Sequence, residues 1–179
     1  ARRVGGSMQV SLEASAERSH SVRTEATPAG ARYRSNPELG AGTIGVGRLS
    51  VAYRAESLER TQGVNAALQI EGGQGDRDYA RAAAQVGWLV PAGFGALALS
   101  AEAGAGTGEL PGYRSFALGG WGTLPGESFR AWGGRRVAIA SLEFRFDLPF
   151  PAIPLGAFAS TGDRITVAPF LSAGWAGGS

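Results

Sequence analysis

The chain has 179 residues, with 29 Gly, 9 Pro and no Cys, and its 17 basic and 15 acidic residues give a net charge of +2. This length predicts one domain. The lack of Cys excludes disulfides, thiolate metal sites and cysteine nucleophiles. Abundant Gly without a three-residue period argues against collagen and long helices. The charges are interspersed, so no tract indicates nucleic acid, and no apolar window is long enough for a transmembrane helix.

The dominant local pattern is alternation of apolar and polar residues with a period of two, which is typical of strands whose faces meet different surroundings. In chain order, the first three runs occupy residues 8–18, 48–56 and 63–71. Four more follow at residues 78–90, 95–104, 136–148 and 164–175, and the last of these is apolar on both sides. Helical periodicity is nowhere comparable, so the sequence predicts an all-β chain of about seven strands.

The lengths and connections of the runs bear on the kind of sheet. The runs have about nine to thirteen residues, whereas soluble strands usually have about five or six and membrane-spanning strands about nine to eleven. Two long connections, 20–42 and 105–135, would lie at one end of an up-and-down sheet, and the Pro-rich connection 149–163 at the shorter end. The pattern favours an antiparallel up-and-down transmembrane β-barrel. A soluble β-barrel or β-sandwich would show the same alternation turned inside out.

The connection 105–135 contains a stretch rich in Gly and aromatic residues, FALGGWGTLPGESFRAWGG, at residues 116–134. Its paired glycines allow sharp turns and close backbone packing. Trp121, Phe129 and Trp132 add apolar bulk that is unfavourable in open water. We therefore expect this loop to fold back, either over the end of a barrel or into its lumen.

Three elements of this region occur in the order and spacing of a known family: LGGWGTLPG from Leu118, SLEFRF from Ser141 and VAPFLSAGW from Val167. Together they resemble the bacterial surface antigen family of outer-membrane barrels, in the superfamily of BamA, TamA and the two-partner secretion transporters. The resemblance covers roughly residues 95–175 and implies that the loop enters the barrel lumen. The lumen-loop residues it implies are Gly119, Gly120, Trp121, Leu124, Pro125, Gly126, Phe129 and Arg130.

Two positions depart from the family pattern. Family members usually carry Arg at the loop tip, where this chain has Pro125, and tend to carry an acidic residue where it has Ser172. Those two groups are thought to pair, and losing both leaves neither charge buried alone. Arg130 is an alternative partner for Glu143 or Asp147. The family barrel has more strands, so we expect either a fragment of a larger barrel or further strands within 20–42 or 149–163.

The polar sides of the runs carry charges that we expect to face the lumen, namely Glu143, Arg145, Asp147, Arg81 and Glu102. General acid–base catalysis by these groups is the less favoured alternative. His20 is the only histidine. With no Cys beside it, the sequence predicts neither a metal site nor a catalytic triad, and we expect no enzymatic activity and no cofactor.

The resemblance implies a function in assembling or translocating polypeptides at the bacterial outer membrane. The partners it implies are outer-membrane lipid and unfolded outer-membrane or secreted polypeptides, without nucleic acid. Two alternatives stay open: the barrel only anchors an upstream effector domain, or the chain is a soluble β-barrel or β-sandwich that acts as a binding module.

Overall fold

The computed structural model describes residues 4–20, 41–57, 62–154, 156 and 159–178. The strands are β1 (Val4–Ser19), β2 (Gly42–Ser57), β3 (Gly63–Gly75), β4 (Tyr79–Ala92), β5 (Gly95–Gly108), β6 (Phe116–Leu118), β7 (Trp132–Gly134), β8 (Arg136–Pro149), β9 (Arg164–Val167) and β10 (Phe170–Gly177). Within those ranges the helical structure is a single 3-10 turn, Gly112–Arg114. None of the described helical structure has the length and apolar composition that a membrane span requires. The prediction of an all-β chain is confirmed.

The long strands form one antiparallel sheet in the order β1-β2-β3-β4-β5-β8, and both β9 and β10 pair with β8. The two short strands β6 and β7 form a separate ribbon inside the connection between β5 and β8. The up-and-down antiparallel arrangement is therefore confirmed. The described strands do not close into a barrel, because β1 and β10 lie at opposite edges of the sheet.

Several bounds differ from those that the alternation predicted. The last predicted strand, 164–175, is divided into β9 and β10 at Ala168 and Pro169. Pro169 has no N–H to donate to the ladder, although its carbonyl accepts a 3.0 Å hydrogen bond from the Phe144 N–H. β5 continues to Gly108, so the loop predicted over 105–135 covers residues 109–135. Alternation did not mark this extension because Gly104, Gly106 and Gly108 have no side chains to alternate.

The two connections expected to hold further strands have different outcomes. Residues 21–40 of the connection 20–42 lie outside the described residues. In the Pro-rich connection 149–163, the described residues form no further strand. Instead, an isolated bridge between Pro154 and Ser160, and a 2.7 Å hydrogen bond from the Phe150 N–H to the Asp163 carbonyl, prolong the β8–β9 hairpin.

One face of the sheet is apolar and exposed. The register places like residues side by side, and one row across the sheet consists of Met8, Tyr53, Ala66, Val86, Ala101, Ala140 and Ala173. Leu12 is 83% exposed on this face, and Leu171 is 71% exposed at the opposite edge. Isolated exposed apolar residues are ordinary on protein surfaces, but a face of them that extends over a whole sheet marks an interaction surface.

The other face is polar and carries most of the buried residues of the fold. Its row next to the apolar one consists of Gln9, Ala52, Ala67, Gln85, Glu102 and Ile139. Six of the seven buried hydrophobic residues among the described ones form two small clusters near the end where the loop 109–135 emerges, and the seventh, Ala55, lies near the other end of β2. One cluster is formed by Ile44, Val46 and Tyr79, and the other by Phe116, Leu118 and Val137. The core therefore lies between the polar face and the loop, rather than on the apolar face.

Candidate functional site: a loop folded onto the polar face

The loop 109–135, which we call the covering loop, folds back onto the polar face of the sheet. It leaves β5, makes the 3-10 turn, forms β6, turns at its tip and returns through β7 to β8. Its two ends are held together by a 2.7 Å hydrogen bond from the Gly106 N–H to the Arg135 carbonyl. The loop has its own two-stranded ribbon and its own buried side chains, so it is an ordered part of the fold.

Two side chains of β6 form the apolar seat of the covering loop. Leu118 is only 2% exposed, and both Leu118 and Phe116 pack against Val137 on β8. Gly104 on β5 makes room for Phe116, because a Cβ at Gly104 would lie 2.4 Å from the Phe116 ring. The Arg81 guanidinium lies 4.3 Å from the centroid of the same ring, a distance at which cation–π attraction operates.

The tip turns away from the sheet directly after β6. Gly119 and Gly120 have φ angles of 118° and 88°, a region that favours glycine. The Gly119 N–H donates a 2.8 Å hydrogen bond to the Thr123 Oγ1, which closes the turn. Leu124 returns to the second hydrophobic cluster, and Pro125 is half-buried beside it, whereas Gly126 is exposed.

The aromatic residues expected to fold back do not form the seat. Trp121 is 91% exposed, and Phe129 and Trp132 are exposed as well. The loop does fold onto the sheet, but Phe116 and Leu118 are the side chains that it buries there. The physical reason is local: Phe116 and Leu118 occupy the sheet-facing positions of β6, and the turn at Gly119 and Gly120 directs Trp121 outward.

Charged residues attach the base of the covering loop to the sheet. Glu71 is buried, with its side chain 1% exposed, and its Oε2 accepts hydrogen bonds from Arg48 at 2.7 and 2.8 Å and from Arg114 at 3.0 Å. The Tyr79 hydroxyl donates to the other oxygen at 2.9 Å. Buried carboxylates are tolerated when they are paired and hydrogen-bonded in this way.

The pairing continues from Glu71 to the edge strand β1. Arg48 also pairs with Glu13 at 3.0 Å, and Arg114 also pairs with Glu17. The resulting series, which we call the ion-pair chain, is Glu13–Arg48–Glu71–Arg114–Glu17, with alternating charges from end to end. All three carboxylates and Arg48 lie on strands, and Arg114 is the one member that the covering loop contributes.

Arg114 is firmly charged at this position. Burial by itself would lower its pKa, but the hydrogen bond to Glu17 and the charge of Glu71 outweigh this and raise the pKa above its usual value. The Tyr113 hydroxyl supports the same contact with a 3.3 Å hydrogen bond to Glu17. The 3-10 turn thus presents two consecutive side chains to one carboxylate.

The five charges that we expect to face the lumen lie on the polar face of the sheet, although they do not form one cluster. Arg145 pairs with Glu143, and Asp147 accepts a 2.7 Å hydrogen bond from the Thr166 hydroxyl. Glu102 lies on the polar face in the row opposite Ile139, and Arg81 covers Phe116.

The two positions where the chain departs from the family pattern, and the alternative partner, are also placed. Arg130 is exposed with a φ of 54° and makes no ion pair with the described residues, so it does not reach Glu143 or Asp147. The Ser172 hydroxyl lies 2.8 Å from the Ser141 hydroxyl on β8. A neutral hydrogen bond therefore lies at the position where the resemblance would place an acidic residue.

A groove of about 470 Å³ runs along the polar face beneath the loop tip. Gly122 and Thr123 border it on the loop side, and its sheet side includes Asn65, Ser100 and Glu102. It is open, and its lining combines polar side chains such as Glu102 with apolar ones such as Leu89 and Ile139. Among the described residues, no group of three His, Asp or Glu side chains could hold a metal ion.

Sequence reasoning missed Glu71, Arg48 and Arg114. Glu71 occupies an ordinary polar position of its run, so alternation gave no sign of its burial. The one available signal was the sequence PGYR at residues 111–114, a Pro-Gly turn followed by Tyr and Arg, inside a long connection. Comparison of the sequence with protein-family models and with curated proteins finds no match.

Proposed function

We propose that the chain forms part of a transmembrane β-barrel of the bacterial outer membrane, with the apolar face toward lipid and the covering loop in the lumen. The proposal assigns the barrel to the superfamily that inserts or translocates outer-membrane polypeptides. Its partners are then outer-membrane lipid and unfolded outer-membrane or secreted polypeptides.

The observation that carries the proposal is the division of the sheet into two unlike faces. Large side chains such as Leu12, Trp88 and Leu171 are exposed on one face, while the buried Glu71 and the covering loop lie on the other. In a soluble sandwich or lipocalin-like barrel, the apolar face would be the packed one. In an outer-membrane barrel, the apolar face meets lipid and the polar face lines the interior.

Strand length and connections add support. β1 and β2 have 16 residues each and β3 to β5 have 13 or 14, which exceeds the nine to eleven that a membrane-spanning strand needs. The turn between β4 and β5 leaves only Gly93 and Phe94 unpaired, whereas the covering loop emerges at the opposite end of the sheet. Short turns at one end and long loops at the other are typical of outer-membrane barrels.

The membrane assignment is tested with paired nitroxide labels at Leu99 and Ser100, which are neighbours on β5 with opposite faces. In lipid, we expect the label at position 99 to be relaxed by oxygen and shielded from a water-soluble nickel complex, and the label at position 100 to behave oppositely. A chain that stays monodisperse in water without detergent, with both labels accessible to the nickel complex, would reject the membrane assignment in favour of a soluble binding module.

The role in polypeptide assembly or translocation is tested in the full-length protein in its own cells. Residues 121–126 of the loop tip are replaced by a Gly-Ser linker of equal length, and folded outer-membrane proteins and secreted polypeptides are quantified. We expect the altered barrel still to insert into the outer membrane. We also expect the amount of folded outer-membrane proteins, of secreted polypeptides, or of both to fall; these are the client polypeptides of the proposal. Unchanged clients with normal insertion would favour a barrel that only anchors another domain.

A further inference from the structure

Arg114 belongs to a loop that starts at β5, but it contacts strands β1 and β3, which are distant from this loop in the sequence. The covering loop begins at β5, near the middle of the sheet, yet its Arg114 pairs with Glu17 on the edge strand β1. The same guanidinium lies 3.0 Å from Glu71 on β3. A single side chain of the loop therefore contacts the edge of the sheet and its interior at once.

We infer that Arg114 couples the docking of the covering loop to the pairing of the loop-side end of β1. The inference deepens the proposed function, since it concerns how the position of the lumen loop is regulated and rests on that function for its biological meaning. The coupling depends only on contacts within the chain, so its test does not depend on whether the apolar face meets lipid.

The charges of the ion-pair chain show which carboxylate loses its partner when Arg114 is removed. Three carboxylates and two guanidiniums give a net charge of −1, and removal of Arg114 leaves −2. Glu71 then keeps Arg48 and Tyr79 as partners. Glu17 has no other cationic partner among the described residues, so the unpaired carboxylate that results lies on β1.

The position of Glu17 restricts the effect to one end of the strand. The β1–β2 ladder ends at the pair Ser19 and Gly42, two residues beyond Glu17. Glu13, nearer the middle, keeps its own pair with Arg48. Strand ends open more readily than strand centres, so an uncompensated charge at Glu17 favours opening of residues 16–19 and leaves the rest of β1 paired.

The coupling is tested with Arg114→Gln and, as a matched control from the same loop, Arg130→Gln, which removes an exposed charge that makes no ion pair with the described residues. Loop docking is read from the labelling rate of a thiol at Ala83→Cys, since Ala83 lies beneath the seat and the chain has no other Cys. Pairing of β1 is read from amide hydrogen exchange. We expect Arg114→Gln to accelerate both labelling and exchange over residues 16–19 by roughly 10- to 100-fold, because one partner of a partly buried pair is removed. Arg130→Gln should change neither.

The reciprocal variant separates coupling from simple anchoring. If the two events share a free energy, Glu17→Gln must accelerate labelling at position 83 although it leaves the loop sequence intact. Faster labelling in Arg114→Gln with unchanged exchange at residues 16–19, or unchanged labelling in Glu17→Gln, overturns the coupling. If Arg114→Gln does not fold, Arg114→Lys serves instead, because an ammonium cannot bridge two carboxylates in the fork geometry of a guanidinium. The nitroxide labels at positions 99 and 100 report the membrane proposal separately, so the two can fail independently.

Discussion

The seat of the covering loop predicts a sharp contrast between two of its apolar side chains, Leu118 and Trp121. Leu118 is 2% exposed and Trp121 is 91% exposed, although they lie three positions apart in the same loop. Truncation of a buried Leu to Ala removes its transfer free energy and leaves a cavity, at a cost of about 2–5 kcal/mol. Truncation of an exposed side chain usually changes stability by less than about 0.5 kcal/mol.

These energies apply to loop docking, because the undocked loop would expose Leu118 to water. Each 1.4 kcal/mol is about a tenfold change in the docking equilibrium, so Leu118→Ala should raise the undocked fraction roughly 30-fold or more. Trp121→Ala should change it by no more than about twofold. The difference in cost thus follows from burial and not from the size of the residue, since Trp is the larger.

The assay is the labelling of Ala83→Cys by a water-soluble maleimide, in detergent or lipid, with the β-sheet content of each variant checked by far-UV circular dichroism. Under conditions where the loop opens and closes faster than the thiol reacts, the labelling rate follows the open fraction. Equal labelling in Leu118→Ala and Trp121→Ala, with the sheet intact, would refute the assignment of the seat to Phe116 and Leu118. Faster labelling in Trp121→Ala alone would place the seat on the aromatic tip.

Three further substitutions probe the same site. Gly104→Ala places a Cβ 2.4 Å from the Phe116 ring and should weaken loop docking by about 1–3 kcal/mol in the thiol assay. Its control is Gly47→Ala, which should not change the labelling rate, because none of the described atoms lies within 4 Å of a Cβ at this strand glycine. Glu71→Gln removes the buried carboxylate charge that two partly buried guanidiniums share, and it should lower the free energy of unfolding by about 1–3 kcal/mol. The change is measured by urea titration of tryptophan fluorescence, and an unchanged midpoint would contradict the ion-pair chain. Gly119→Ala forces a Cβ to 2.2 Å from a backbone oxygen at a φ of 118° and should accelerate labelling as well, while normal labelling would mean that the tip tolerates another conformation.

The sheet could be predicted from the sequence because its information is local. Each strand alternates between faces, and the alternation of one strand must match that of its neighbour once they pair. That is why the runs around Leu49, Leu68 and Leu142 identify both the strands and their apolar sides. The strand ends were less accurate, since glycines in β2 and β5 extend the ladders without adding to the pattern.

The seat of the covering loop could be predicted only in outline. Composition indicated a loop that folds back, and the structure places it on the polar face. Composition could not say which apolar residues face the sheet, because that depends on the short β6 strand and on the turn at Gly119 and Gly120. The burial of Phe116 and Leu118 is a tertiary property, and size alone would favour the larger aromatic residues of the loop.

The ion pairs at the base of the loop could not be predicted from the sequence, because they join residues that are far apart in it. Arg114 and Glu17 are 97 positions apart, and Arg114 and Glu71 are 43 apart, so no periodicity or spacing connects them. They meet only when β1, β3 and the covering loop are all in place. A contact that needs three separate elements to be correctly positioned is sensitive to the displacement of any one of them. The tip of this loop carries Pro125, and its charged anchoring lies at the base instead, where Arg114 pairs with Glu71 and, through Glu17, reaches the edge of the sheet.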